Sequence, residues 1–150
     1  MNYAMKSCPI WIRLPRVVRD IPTEYIHAGN KIPNLRQHLV KSKEIRSREI
    51  ERNSSYYNLG SKIFVTQYSE SDFFISYESL DRQAIFGFLR LRLIKNNSNT
   101  EFKFLRRLAL IRELHVYGFN TEVGSHAKSA QHNGIGKKLL KKAEHIAFLN

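Results

Sequence analysis

The sequence predicts an α+β fold in which a run of β-strands is followed by one amphipathic helix, behind a proline-rich and charged N-terminal segment. Three observations carry this reading. Between Lys62 and Val116, apolar residues recur at strand spacing in stretches separated by polar turns. From Ile135 onward, Ile135, Leu139, Ala143, Ile146 and Ala147 fall at helical spacing, with Lys137, Lys138, Lys141 and Lys142 on the opposite side. All four prolines (Pro9, Pro15, Pro22 and Pro33) stand in the N-terminal segment. Strands followed by a helix is the order of an α+β domain rather than of alternating βα units.

Taken in order, residues 1 to about 40 are interrupted by those prolines, which excludes a long helix and favours short extended pieces. Arg13, Arg16 and Arg19 recur there at every third position. Residues 34 to 52 place Leu35, Leu39, Ile45 and Ile50 among charges, as a helix or a charged linker. Ile63 to Tyr68, Phe73 to Leu80 and Ala84 to Ile94 are three strands, the last two joined as a hairpin through Asp81, Arg82 and Gln83. After a polar turn at 96 to 100, Leu108 to Tyr117 is the fourth strand. Its alternation puts Leu108, Leu110, Leu114 and Val116 on one face and Ala109, Ile111, Glu113, His115 and Tyr117 on the other, as a largely buried strand ending at Gly118. A polar loop then leads to the helix, which starts near Gly134.

Composition narrows the partners. With 150 residues, of which 42% are hydrophobic, the chain can build a modest core. A formal charge of +12, from 25 Lys and Arg against 13 Asp and Glu, favours a polyanion: nucleic acid, a cofactor phosphate or a membrane surface. The single cysteine, Cys8, excludes an intrachain disulfide framework and a cysteine-rich metal site, and fits a reducing, intracellular setting. No apolar run is long enough to span a membrane, and the first ten residues lack the core of a signal peptide.

The chemistry is expected where the last helix begins. A helix N-terminus offers unpaired N–H groups and the positive end of the helix dipole, and glycines there let a phosphate reach the backbone. Gln131-x-x-Gly134-x-Gly136 has that form. It does not match the dinucleotide fingerprint, which needs three glycines directly after a strand. It is similar to the Q/R-x-x-G-x-G/A signature of the GNAT acetyltransferases, which bind the pyrophosphate of acetyl-CoA. The flanking stretches are more specific. Leu110 to Gly118 (LIRELHVYG), Gln131 to Gly136 (QHNGIG) and Ala143 to Ala147 (AEHIA) resemble the acetyltransferase domain of the Elongator catalytic subunit family, which modifies the wobble uridine of tRNA. Independently, Ile12 to Pro22, Tyr25-Ile26, Ala28-Gly29 and Asn34 to Gln37 resemble the segment that closes the family's radical-SAM domain.

The resemblance implies two regions. Residues 1–55 correspond to the end of a radical-SAM domain and a linker, and residues 56–150 to an incomplete GNAT domain of four antiparallel strands and the central helix. The fifth strand, the closing elements and the family's C-terminal tyrosine, expected at the leaving thiolate, would follow Asn150. The start likewise reads as an entry into a longer protein. Backbone groups of Glu113, Leu114, His115 and Val116 would pair with the pantetheine arm of acetyl-CoA. Gln131, Gly134, Ile135, Gly136 and Lys137 would hold its pyrophosphate. Arg13, Arg16 and Arg19 would lie on the tRNA-facing side. The family's Cys-x-Cys-x-x-Cys zinc site falls on Ser42, Glu44 and Ser47, so no zinc is expected. The cluster-binding Cys-x3-Cys-x2-Cys motif is absent, so no iron–sulfur cluster is expected either.

No catalytic residue follows from the sequence. Glu113 and His115 could serve as general bases, but as residues on a strand face they are read first as satisfied by structural partners. His115, His126, His132 and His145 have no ligand spacing, and Ser125 or Ser129 with His126 lacks a nucleophile elbow. The expectation is a cytoplasmic acyltransferase-family segment with tRNA, and chains completing the sheet, as partners. The alternatives are a catalytically inactive, basic tRNA-binding module and a small GNAT N-acetyltransferase.

Overall fold

The computed structural model describes residues 1–15, 22–29, 31–32, 35–50, 56, 60–95, 101–118 and 134–150. They form two compact units, Met1–Arg48 and Glu49–Asn150. The first unit contains a six-residue helix, α1 (Asn2–Ser7), short 3-10 turns at Thr23–Tyr25 and Leu35–His38, and a four-residue helix, α2 (Ile45–Arg48). The helix α1 departs from the extended pieces expected of the N-terminal segment, because the prolines that oppose a helix begin only at Pro9. Between Leu35 and Ile50 neither a long helix nor a plain linker forms. The chain folds into short turns tied together by side chains, described below.

The second unit is a four-stranded antiparallel sheet in sequence order, β1 (Ser61–Gln67), β2 (Asp72–Ser79), β3 (Ile85–Ile94) and β4 (Leu108–Val116). The helix α3 (Ile135–Leu149) packs on β2, β3 and β4. All five elements lie where the periodicity predicts them. The predicted hairpin between β2 and β3 is closed by Ser79 N to Ala84 O at 2.9 Å and Arg82 N to Ser79 O at 2.9 Å. Asp81 accepts from the Ser79 hydroxyl at 2.6 Å and from Gln83 N at 3.1 Å, which is the turn chemistry short polar side chains supply. The core is made by the two central strands and one helix stripe. Ile75, Leu89 and Leu91 are buried on the face that carries α3, with Ile135, Leu139, Ala143 and Ile146 as the expected apolar stripe, while Phe74 and Phe88 are buried on the opposite face with ring centroids 5.4 Å apart.

The fourth strand corrects the sequence reading twice. It is not buried: every residue from Leu108 to His115 is exposed, because β4 is the edge of the sheet and pairs only with β3 among the described residues. Nor does its alternation run through unbroken. Arg90 pairs with Glu113 but Leu91 pairs with Ile111, so Arg112 is an extra residue, a β-bulge. Directly opposed residues of an antiparallel pair share a face. The bulge therefore places Ala109, Ile111, Leu114 and Val116 with Leu91 and Leu89 on one face. Leu108, Leu110, Glu113 and His115 share the other with Arg90 and Phe88. Strict alternation mixes these sets, since one inserted residue exchanges the faces of everything beyond it.

Candidate cofactor site at the end of β4 and the start of α3

The residues predicted to hold a cofactor converge from two elements. Val116 closes β4, and a Cβ built on Gly136 in the first turn of α3 would sit 3.7 Å from Val116 Cγ2. The helix starts at Gly134, whose backbone is left-handed at φ 64° and ψ 22°, a conformation that glycine alone takes at little cost. Among the described residues no side chain caps this end, and Lys138 N donates to Gly134 O at 3.0 Å as the first helical bond. The N–H groups of Ile135, Gly136 and Lys137 belong to the turn that has no intrahelical acceptor. Among the described residues nothing lies within 4 Å of a Cβ on Gly134. Lys137 is exposed beside it, while Lys138 lies over the Tyr77 ring at 5.2 Å.

Glu113, Leu114, His115 and Val116 are the last four residues of β4, whose outer edge is unpaired among the described residues. Exposed edge N–H and C=O groups are what an added strand or an amide-bearing chain pairs with. The side chains of Glu113 and His115 point to the face away from Leu114 and Val116. Glu113 accepts from Arg90 Nε at 2.8 Å, and Arg90 in turn lies over the rings of Phe74 and Phe88 at 5.6 and 5.4 Å. The His115 ring lies against Phe88 at 6.1 Å and Tyr117 at 4.4 Å, centroid to centroid. Both side chains thus have structural partners, as the reading of them as strand-face residues expected.

Gln131, Arg16 and Arg19 lie outside the described residues, as do Ser125, His126, Ser129 and His132. Arg13 is described and exposed. His145 is exposed on α3. Among the described residues no three His, Cys, Asp or Glu side chains are grouped to hold a metal ion.

The three positions that fall on the family's zinc ligands are gathered in space around a different centre. The fully buried Glu44 carboxylate accepts from Leu14 N at 2.9 Å, Arg46 N at 2.9 Å, and Ser47 N and Oγ at 2.7 Å each. It forms an ion pair with Arg36, whose guanidinium also donates to Leu14 O at 2.9 Å. Ser42 Oγ accepts from Glu44 N at 3.2 Å. Two hydroxyls and a carboxylate already engaged by these donors do not fit the tetrahedral thiolate and imidazole set that structural zinc requires. Burial pushes the Glu44 carboxyl up. The hydrogen bonds from Leu14, Ser47 and Arg46 and the Arg36 charge outweigh it and hold the group below the usual carboxylate range.

Sequence reasoning missed Arg36 as the partner of Glu44, since the pair closes through a turn with no periodic signal. It also missed the charged ladder on the sheet. Arg92 donates to Asp72 at 2.7 and 3.0 Å, and Arg112, the bulge residue, stands 3.6 Å from the same carboxylate. Asp72 is held below its ordinary range first by the Arg92 hydrogen bonds, against burial, with help from Ser69 and the two arginine charges. The visible signal was an acid at the start of β2 facing an arginine in β3, legible only once the register is known.

No family model matches the chain. It is 31% identical over 154 residues to Elongator complex protein 3 of Schizosaccharomyces pombe, covering 93% of this chain and 28% of that protein. The chain is homologous to part of the Elongator protein 3 family. It is 33% identical over 167 residues to the tRNA uridine(34) acetyltransferase of Methanocaldococcus jannaschii, covering 98% of this chain and 30% of that enzyme. The corresponding Dehalococcoides mccartyi enzyme is 31% identical over 153 residues, with 93% and 33% covered. The chain thus spans about a third or less of the length of these Elongator protein 3 relatives. Among solved structures, the archaeal Methanocaldococcus infernus Elp3 with an N-terminal deletion matches with a TM-score of 0.66 and 29% identity, over 97% of this chain and 38% of that one. Among the described residues no helix is long and apolar enough to cross a membrane.

Proposed function

We propose that the chain is the acetyl-CoA-holding segment of an Elongator-type tRNA uridine acetyltransferase. Residues 56–150 form the first strands and central helix of a GNAT domain, and residues 1–55 derive from the end of a radical-SAM domain and its linker. The pyrophosphate lies against the N–H groups of Gly134 to Lys137, with Gln131 at the same signature. The pantetheine arm runs along the free edge of Glu113 to Val116, and the acetyl group it delivers serves carboxymethylation of the wobble uridine of tRNA. The observation that supports this best is the meeting of the two halves of the resemblance, with Gly136 packed on Val116 and Gly134 holding an uncapped helix start.

Calorimetry of the full chain with CoA tests it. Contacts from a helix terminus and one strand edge correspond to millimolar affinity, about −4 kcal/mol. In Gly136→Glu the new carboxylate repels the pyrophosphate, and binding should fall below detection. An acid in the first helical turn suits the helix dipole, so the variant should keep its circular dichroism spectrum. Binding of CoA by wild type that Gly136→Glu leaves unaltered would refute the site.

A second reading, a tRNA-binding module without acyl transfer, is supported by the exposed Lys137, Lys138 and Lys141 along α3 and by Arg13, first of the arginine series that continues with Arg16 and Arg19. If about four to six phosphates are neutralised, the logarithm of tRNA affinity should fall against the logarithm of salt with a slope of roughly −3 to −5. A slope near zero removes this electrostatic partner. Release of free CoA thiol from acetyl-CoA, stimulated by tRNA, separates the enzyme from the binding module.

A further inference from the structure

The turn that leads into β4 carries an exposed patch that neither the acetyl-CoA contacts nor the arginine series uses. Phe102 and Phe104 are 58% and 74% exposed, and their rings stand edge to face with centroids 5.8 Å apart. Scattered single apolar residues on a surface need no explanation, but two adjacent rings that are both more than half exposed form a candidate recognition surface. The turn that presents them is hydrogen-bonded throughout. Leu105 N donates to Phe102 O at 2.9 Å, Arg106 N to Lys103 O at 3.2 Å, and Arg107 N to Ile94 O at 2.7 Å. Arg107 is itself left-handed at φ 63°, a conformation uncommon for a residue with a side chain, and its bond to β3 fixes the direction in which the chain enters β4.

The charge around the rings is one-sided. Within the turn, residues 101–108, Lys103, Arg106 and Arg107 are all exposed beside them, against one acid, Glu101. Arg107 also lines an open cavity of about 720 Å³ with the apolar side chains of Leu93, Ile94 and Leu108, where Lys95 is paired with Glu70 at 3.6 Å and Arg107 is left as the cation facing the turn. An aromatic platform flanked by cations is the arrangement that binds single-stranded nucleic acid: rings stack on the faces of unpaired bases and cations take the phosphates. A duplex hides those faces, so the rings gain nothing from it. A protein partner for the same surface would have to bring acidic groups to three cations, whereas a polyanion satisfies them and the chain's overall charge of +12 alike.

We propose that Phe102 and Phe104, with Lys103, Arg106 and Arg107, form a stacking site for unpaired bases of single-stranded RNA. The assignment rests on the reading of tRNA as the partner, since tRNA loops present such bases, and it adds a contact surface separate from the helix start.

Fluorescence anisotropy with the full chain tests it, using a labelled oligouridylate of about twelve nucleotides, a duplex RNA of the same length, and intact tRNA. Wild type should prefer the single strand to the duplex. Phe102→Ala/Phe104→Ala should weaken single-strand binding by about ten-fold or more with an unchanged salt slope, because stacking is lost and no charge is removed. Phe102→Trp/Phe104→Trp should restore it. Lys103→Ala/Arg106→Ala should instead make the slope shallower by about 1.4, two phosphates at the single-strand value. Because both rings are exposed, the alanine pair should leave the circular dichroism spectrum and thermal transition unaltered. If wild type binds tRNA and the single strand but the alanine pair binds them equally well, the stacking site is wrong while the tRNA reading stands. The same result is expected of a patch that docks a protein. If wild type retains neither RNA at low salt, the tRNA reading fails and the site fails with it.

Discussion

Replacing Glu44 with alanine should dismantle the Met1–Arg48 unit while leaving the sheet folded. The carboxylate is the common acceptor for Leu14, Arg46 and Ser47 and the counter-ion of Arg36, so one substitution strands several donors and one guanidinium at once. Removing one partner of a buried ion pair costs about 3–5 kcal/mol, and a unit of 48 residues with few buried apolar side chains has little reserve. Because the two units need not unfold together, a single melting temperature is the wrong readout. Residue-resolved hydrogen exchange is the right one. Protection of the Leu14, Ile45, Arg46 and Ser47 amides should be lost in Glu44→Ala, while that of β2 and β3 persists. The same group predicts an acid limit. Its folded pKa lies below the unfolded value, so its contribution is complete above the ordinary carboxylate range and is lost as pH falls through the folded pKa. Glu44→Ala should abolish that acid-dependent step in the exchange of these amides. Equal protection in wild type and variant, at neutral pH and in acid, would show that the carboxylate does not hold the unit together.

What the sequence could and could not reveal follows from the range of each interaction. The strands, the hairpin turn at Asp81 to Gln83 and the apolar stripe of α3 are legible because their signals are local and periodic, and β1 to β4 and α3 form where those signals stand. The bulge at Arg112 is not legible, because nothing in LALIRELHVYG marks an inserted residue, and without it the faces of β4 are assigned wrongly. The exposure of β4 is missed for a related reason. A strand of Leu, Ile and Val reads as buried, yet burial depends on its neighbours, and β4 has one only on the β3 side among the described residues. At the candidate site, the residue type at Gly134 carries the signal itself through a left-handed φ, whereas a Cβ at Gly136 would meet Val116 Cγ2 at an ordinary 3.7 Å. The Glu44 cluster is the opposite case. Ser42, Glu44 and Ser47 are legible as a set that lacks zinc-binding thiolates, but the partner that makes them a coherent group, Arg36, is defined by the tertiary fold alone.

Gly87→Ala should loosen β4 from β3 and abolish CoA binding with it. Glycine inside a strand is normally a weakness, and alanine there would be expected to stabilise by reducing the freedom of the unfolded chain. Here the sign reverses. A Cβ at Gly87 would lie 2.8 Å from His115 O and 3.3 Å from both Val116 Cα and Cγ2, so it meets backbone that cannot rotate aside. Gly87 is the register partner of Val116, and the adjacent Phe86 carbonyl accepts from Tyr117 N at 2.8 Å. Since β4 is an edge strand, relief comes from moving its C-terminal end outward, at about 1–3 kcal/mol for an overpacked contact. That movement separates Val116 from Gly136 and spoils the alignment of the strand edge with the helix start, on which the cofactor reading depends. Gly60→Ala is the matched control: its Cβ would meet Leu80 Cδ1 at 3.0 Å, the far end of a flexible and exposed side chain. The control should leave both stability and CoA binding close to wild type. For Gly87→Ala, faster exchange of the Tyr117 amide and loss of the calorimetric signal should appear together. An alanine variant as stable as wild type would mean that β4 does not approach β3 this closely. A destabilised one that still binds CoA would place the cofactor somewhere other than the end of β4.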